Sequence, residues 1–372
     1  MISSDSHIVE PPTLFSERID RRWRDQAPRV VEEDGVDIWV VDDEAAVPAV
    51  NPSRAGDRFD DANDRRHRMT FEQDVRPGAY EPDEWIRDNE SDGVYGGVLY
   101  PSLSLVFYGI ESTPLLSAVC RVFTDWVIEF ALAYPTRLRA VAMINLDDVD
   151  AAVVELERSR KAGAAGALIP VLPQADRPYD SPEYERFWAA ADALGMPISL
   201  HVATNRTPGE WKALYKLSGQ VSAPDYWVRV ALGDLILSGV FERYPGLRVG
   251  SVEHEAGWAA HFLNRMDHVY QEGLDFADHR PDFKNGALPS DFFHRNVFVS
   301  FAEDEVAIAN RELIGVDNLM WGNDYPHGES TFPHSREIVG RHLAGVSEAE
   351  RVALTASNVA ALYDIQLPPE EY

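Results

Sequence analysis

A chain of 372 residues, 45 % of them hydrophobic, is long enough to bury a sizeable core. Its net charge of −28, with no Lys/Arg cluster to offset it, argues against a nucleic-acid partner or an anionic membrane surface. The single cysteine, Cys120, excludes an internal disulfide, and no stretch approaches the roughly 18 apolar residues of a membrane span. Met1–Asp5 has neither the basic region nor the apolar core of a secretory leader, so the expected compartment is the cytoplasm.

The first apolar run, residues 2–6, reads as a short strand. It leads into Asp5-Ser6-His7-Ile8-Val9-Glu10, and Pro11-Pro12 then turns the chain away. The two-residue period of a strand places Asp5 and His7 on one side. Residues 11–80 are polar and rich in Pro, Gly, Asp and Arg. A helical piece is expected around Leu14–Arg24, a strand over residues 35–41 and a hairpin turn at Asp42-Asp43-Glu44. This segment holds too few apolar residues for its own core. It is read as an excursion covering one face of a single domain, 1–372.

A regular alternation follows. Apolar runs at 96–101, 138–144, 166–171, 197–202, 247–252, 296–301 and 318–322 are separated for the most part by helical stretches. These are 82–92, 113–134, 151–162, 182–194, 224–238, 256–271 and 303–314, with 333–343 and 347–363 after the last run. Ser181 and Ser347 stand as N-caps. With residues 2–6 there are eight runs, which predicts a (β/α)8 TIM barrel with an inserted excursion after strand 1. An open doubly wound sheet is less suitable, because no run is followed by a Gly-rich phosphate turn.

Barrels of this type place their chemistry at the C-terminal ends of the strands. The first run ends in Asp5-Ser6-His7, the fifth in His201, the sixth in Glu253-His254-Glu255 and the eighth in Asn323-Asp324-Tyr325-Pro326-His327. The second, third and fourth end in Pro101, Asn145 and Pro170. His, Asp and Glu are the ligand set of Zn²⁺, Mn²⁺ or Fe²⁺. Strands 1 and 8 are neighbours in a closed barrel, so Asp5, His7, His201 and Asp324 can meet on one ion. Glu10, Glu253 and His254 are further candidates, and together they would supply a second ion.

The Asp-x-His after strand 1, the His ending strand 5 and the Trp321-Gly322-Asn323-Asp324-Tyr325-Pro326-His327 run resemble the amidohydrolase superfamily. More narrowly, they resemble the amidohydrolase-related proteins that include aminocarboxymuconate-semialdehyde and γ-resorcylate decarboxylases. The resemblance implies Asp5, His7, His201 and Asp324 as metal ligands and a homo-oligomer acting on a small molecule. Two departures stand out. Glu253 occupies the strand 6 position where the family usually has a histidine, with His254 one residue later, and no lysine ends strand 4. Three reactions use these residues. The first is hydrolysis by a metal-activated water, with Asp324, Glu253 and His254 as acid/base groups. The second is non-oxidative decarboxylation of a small carboxylic acid. The third is oxygen-dependent or thioester chemistry on two Fe or Mn ions. Arg206, Tyr325 and His327 are candidates for substrate contact, with Trp211, Tyr215 and Trp227 as aromatic loop residues. The excursion and the tail Leu367–Tyr372 are candidate subunit contacts.

Overall fold

The computed structural model describes residues 1–41, 44–49, 53–60, 70–206, 224–273 and 281–369. The first strand, β1 (Ile2–Ile8), is followed by β2 (Arg29–Glu33), β3 (Val36–Val41) and β4 (Glu44–Pro48), which make a separate antiparallel sheet in the excursion. Next come β5 (Gly96–Pro101), β6 (Leu138–Met143), β7 (Gly166–Leu172), β8 (Ile198–Asn205), β9 (Val249–Val252), β10 (Val297–Phe301) and β11 (Leu319–Trp321). These seven and β1 form one parallel sheet in the order β1-β5-β6-β7-β8-β9-β10-β11. Helices lie between the strands, giving the (β/α)8 barrel expected from the alternation of runs. β11 returns beside β1. The seam is joined by the Asp324 N–H donating to the Asp5 carbonyl at 2.9 Å and the His7 N–H donating to the Tyr325 carbonyl at 2.6 Å.

All eight expected runs are strands, buried along most of their length, as both faces of a barrel strand require. The interior is filled by side chains. Beneath the mouth, the Tyr100 hydroxyl lies 2.8 Å from Ser199 Oγ and 3.2 Å from the Tyr363 hydroxyl. Gly250 lets the ring of Phe298 lie across its strand, since a Cβ there would sit 1.9 Å from that ring.

Several elements differ from the expected pattern. β2 carries a charged sequence, Arg-Val-Val-Glu-Glu, that hides its alternation, and pairing with β3 (Val30 opposite Trp39) organises it. A helix at Pro289–Asn296 was not expected; Pro289 opens it and Phe292 and Phe293 anchor it. The expected helix 303–314 is broken at Asn310 into Glu305–Ala309 and Arg311–Ile314. The hairpin turn expected at 42–44 falls partly outside the described residues, but β3 and β4 do pair across it.

The excursion touches the barrel mouth at Arg54 and Arg58. Arg54 N–H donates to the Pro326 carbonyl at 3.0 Å, and Arg76 forms a two-pronged ion pair with Asp88 at 2.8 Å. The Tyr325 hydroxyl donates to the same carboxylate. Among the described residues no helix is long and apolar enough to cross a membrane.

Candidate metal centre

Four strand ends supply the site. Asp5 and His7 project from β1, His201 from β8, Glu253 from just beyond β9, and Asp324 from just beyond β11. His7 Nε2 lies 3.3 Å from Asp5 Oδ1, 3.3 Å from Asp324 Oδ1 and 3.4 Å from Glu253 Oε2. His201 Nε2 lies 3.2 Å from Glu253 Oε2 and 3.6 Å from Asp5 Oδ1. Two overlapping sets of converging donors result: Asp5, His7, His201 and Glu253, and His7, Glu253, Asp324 and His327. They share His7 and Glu253.

These five atoms are close but do not satisfy one another. Asp5 Oδ1, His7 Nε2, His201 Nε2, Glu253 Oε2 and Asp324 Oδ1 are all buried without an aligned hydrogen-bond partner. One such group is costly; five in one place require a common partner. The histidines show what kind. His7 Nδ1 lies 2.7 Å from the Pro101 carbonyl and His201 Nδ1 lies 3.0 Å from the Val202 carbonyl. A carbonyl only accepts, so each Nδ1 carries a proton and each Nε2 is the atom turned toward the carboxylates. Three carboxylate oxygens gathered around two Nε2 atoms call for positive charge at their centre, supplied by a metal ion or, in its place, by protons. Donors held ~2.1 Å from one ion stand ~3.0–3.4 Å apart at neighbouring positions, close to the separations seen here. The residues present therefore fit a divalent metal.

The ionisation of the metal-free cluster reflects the same crowding. Burial opposes charge on Asp5, His7, His201 and Asp324. Even so, His201 and His7 hold the Asp5 carboxyl well below the usual carboxylate range, and His327 and His7 lower that of Asp324. Conversely, burial would lower His7, but Asp324, Asp5 and Glu253 raise it well above its ordinary value. A proton there takes the place of the cation.

The backbone is bent to build this arrangement. Glu253 and Asp324 adopt positive φ, +60° and +56°, as do their neighbours Ala203 and Glu255. For residues with a Cβ these conformations cost energy and persist where surrounding contacts impose them. Gly322 has the opposite role. A Cβ on it would lie 2.6 Å from the Asp5 Cβ and 3.0 Å from the Asp5 nitrogen, so its absence lets Asp5 reach the centre. Asn323 ties the seam together. Its Oδ1 accepts from Ser3 and Ser6 hydroxyls at 3.0 and 2.8 Å, and its Nδ2 donates to Asn89 Oδ1 at 2.8 Å.

Several expected site residues stand elsewhere. Glu10 is not at the cluster; its two oxygens accept from the Leu103 and Ser104 N–H groups at 2.9 Å each, because the chain turns inward after β1. Arg206 is buried against Asp147, at 2.6 Å, and donates to the carbonyls of Tyr108 and Ile110, so four of its five N–H groups are committed, and it does not line the cavity. Tyr325 is fully buried on Asp88. His327 stacks on His7 at 3.9 Å, with Nδ1 2.9 Å from Asp324 Oδ1 and Nε2 3.0 Å from Ser102 Oγ. It supports the cluster and does not line the cavity. Trp227 is buried on its helix, whereas Trp211 and Tyr215 lie outside the described residues, as does the end of the 367–372 tail.

A cavity of about 980 Å³ opens above the cluster. His254 lines it; its Nδ1 lies 3.2 Å from Ser251 Oγ and its Nε2 is buried without a partner. Burial, and then the charge of His201, push this imidazole down to about 3, so it is neutral. Arg58 and Glu329 also line the cavity and were not singled out from the sequence. Arg58 lies in the polar excursion among many other arginines, and its pairing with Glu303 is long-range, so no local pattern marks it.

Comparison with known proteins agrees with this geometry. The amidohydrolase family model matches residues 42–365. The chain is 28 % identical over 261 residues to a γ-resorcylate decarboxylase of Rhodococcus jostii, covering 66 % of this chain and 77 % of that one. Among solved structures, an amidohydrolase from Mycobacterium avium subsp. paratuberculosis superposes with a TM-score of 0.80 at 18 % identity, covering 98 % of each chain. A dihydroxybenzoic acid decarboxylase from Polaromonas, with bound manganese and 2-nitroresorcinol, superposes at 0.67 and 19 % identity, covering 99 % of this chain and 97 % of that one. Decarboxylases among these relatives favour the lyase alternative over the hydrolytic reading set out first above. A barrel whose strand ends bring together donors able to hold a divalent metal, matched by one family's model over most of its length, places this chain among the enzymes of the amidohydrolase family.

Proposed function

We propose that this enzyme is a metal-dependent, non-oxidative decarboxylase of a small unsaturated or aromatic carboxylic acid. The observation that carries the reading is the group of five converging donors beneath an open cavity, in a chain whose curated relatives are decarboxylases of hydroxylated benzoates and related acids. Asp5, His7, His201, Glu253 and Asp324 would hold one ion. Three carboxylates and two imidazoles suit manganese or iron better than zinc, which prefers four ligands richer in nitrogen or sulfur. When bound, such an ion would accept the substrate's carboxylate or phenolate and stabilise the charge left on carbon.

The reaction exchanges a carboxylate for a proton: R–COO⁻ and H⁺ give R–H and CO₂. The carbon–carboxylate electron pair stays on the ring carbon and is captured by the proton. Asp324 is suited to carry that proton. It is ionised, sits at the cavity floor, and is backed by His327, so it can accept a proton from a substrate hydroxyl or water and return it to carbon. His254 offers a neutral imidazole nitrogen on the same wall and would orient the substrate. Glu10, committed to backbone donors, contributes no ligand to a second ion, which weighs against the two-ion, oxygen-dependent alternative. The same reading has a cytoplasmic homo-oligomer working without nucleic acid or membrane.

The test is a panel of hydroxybenzoates incubated with manganese-loaded protein in D₂O. The expected result is CO₂ release with deuterium at the vacated carbon. Absence of CO₂ from every acid, with turnover of a parallel panel of esters and amides, would return the hydrolytic reading to first place.

A further inference from the structure

We propose that Ser102 is a positioning residue: its hydroxyl holds His327 in one orientation and one tautomer, and His327 in turn steadies Asp324. What Asp324 then does, carrying the proton, rests on the decarboxylase reading; what holds it rests on the side-chain geometry.

Two consecutive residues, Pro101 ending β5 and Ser102 after it, hold two imidazoles. The Pro101 carbonyl lies 2.7 Å from His7 Nδ1, and the Ser102 hydroxyl lies 3.0 Å from His327 Nε2. The two rings are stacked, with centroids 3.9 Å apart and planes 29° from parallel. Their other nitrogens face one oxygen: His7 Nε2 and His327 Nδ1 stand 3.3 and 2.9 Å from Asp324 Oδ1. The contact between His327 and Asp324 is short but is not aligned as a hydrogen bond, so it does not fix the ring by itself. The ring is fixed by Ser102 at its opposite nitrogen and by the stack on His7.

Ser102 also selects the tautomer. It is buried, and among the described residues its hydroxyl has no other hydrogen-bond partner. A buried hydroxyl with one partner satisfies its own hydrogen by donating to it. Nε2 of His327 therefore accepts, and Nδ1 carries the proton that faces the Asp324 carboxylate. In the opposite tautomer Nδ1 would turn a lone pair on Oδ1 and the contact would become repulsive.

Ser102, His327 and Asp324 follow one another like a Ser-His-Asp triad, but they act in the reverse direction. Asp324 lines the cavity, whereas Ser102 and His327 do not. The serine is thus not placed as a nucleophile; it acts through His327 on the carboxylate that meets the substrate. With Oδ1 engaged by two imidazoles, Oδ2 is left to exchange a proton in the cavity. A carboxylate that returns a proton to one carbon needs a fixed bearing, which a hydrogen-bonded support behind it supplies.

The test uses Ser102→Ala, Ser102→Thr, His327→Asn and the double variant Ser102→Ala/His327→Asn. Asparagine keeps a nitrogen donor near the place of Nδ1 and loses the end that meets Ser102. Nitrogen-15 spectra of histidine-labelled, metal-free protein at about pH 8, above the ordinary imidazole range, report the ring directly. His327→Asn identifies its signals. The wild type should show His327 protonated at Nδ1 and bare at Nε2. Ser102→Ala should move it toward the other tautomer, and Ser102→Thr should keep the wild-type pattern. In manganese-loaded enzyme acting on a hydroxybenzoate, kcat of Ser102→Ala should fall ~10-fold at unchanged KM and manganese content, and Ser102→Thr should recover to within about 3-fold of wild type. In the His327→Asn background, removing the hydroxyl should cost nothing more. Unchanged ring signals in Ser102→Ala, or equal losses of kcat with and without His327, overturn the proposal. Loss of manganese in Ser102→Ala overturns it too, because the serine would then support the metal and not the proton carrier. If the wild type decarboxylates no acid, the decarboxylase reading fails, and the ring signals still decide whether Ser102 sets His327.

Discussion

The Asp324 N–H donates to the Asp5 carbonyl at 2.9 Å, linking residues 319 positions apart across the seam where the last barrel strand meets the first. Their side chains meet at the same place: each brings one oxygen to 3.3 Å from His7 Nε2. Closing the barrel and assembling the metal centre are therefore one structural event, and changes at the seam should be read out in metal content.

Gly322→Ala tests that coupling directly. The added methyl would overlap the Asp5 Cβ and press on the Asp5 backbone, with little room to give. We expect manganese affinity to fall by ~10- to 100-fold, as for displacement of supporting groups around a metal, with the barrel retained. Metal content by mass spectrometry and a circular dichroism spectrum separate the two effects.

His201→Ala removes one of the two imidazole donors outright. Stoichiometric metal should be lost after dialysis and activity should fall in proportion. Full occupancy in the variant would show that His201 is not a ligand.

Proton release follows from the charge around His7. Its pKa in the metal-free protein is raised above the ordinary 6.5 by Asp324, Asp5 and Glu253 against the effect of burial. A raised folded-state pKa means the proton stabilises the metal-free fold. That contribution is complete below the unfolded value and is lost as pH rises through the folded one. Metal must displace this proton. Adding manganese to metal-free protein at neutral pH in weak buffer should release protons, and the thermal stabilisation by metal should grow as pH rises above 6.5 toward the raised folded-state value. A pH-independent stabilisation would contradict the protonated state of the metal-free cluster.

Glu10→Ala should destabilise without emptying the metal site. The substitution strands two N–H groups at the start of the short helix Ser104–Phe107, at a cost of about 2–3 kcal/mol. Chemical denaturation measures the loss, and an unchanged metal stoichiometry confirms that Glu10 is structural.

Arg206→Ala breaks a buried ion pair with Asp147 and leaves that carboxylate with only the Thr113 hydroxyl, the Gln174 amide and the more distant charge of Arg177, which costs up to roughly 3 kcal/mol. Arg206→Lys should restore little of it, because a single ammonium cannot make both contacts to the carboxylate and reach the two carbonyls. Equilibrium unfolding is the measurement. A variant of unchanged stability and raised KM would instead return Arg206 to the substrate.

Much of this molecule was legible without a structure because its signals are local. Eight short apolar runs alternate with amphipathic stretches, and that pattern alone predicts strands buried on both faces with helices outside them. The donors at the ends of the runs could be read the same way, because a barrel presents its strand ends to one mouth. Asp5, His7, His201 and Asp324 all stand at strand ends, and all four converge. What the sequence could not decide depends on which way a side chain points once its backbone leaves the strand. Glu253 and His254 are adjacent; a φ of +60° at Glu253 accompanies its turn into the cluster, with His254 on the cavity wall. Glu10 and Arg206 have the right chemistry for ligand and clamp, but their partners, Leu103 and Ser104 for one and Asp147 for the other, are 59 or more residues away and are supplied by packing. Composition and periodicity therefore determined the barrel and its donor set. Tertiary structure decided which charges are spent on partners within the protein, like Glu10 and Arg206, and which converge on one centre.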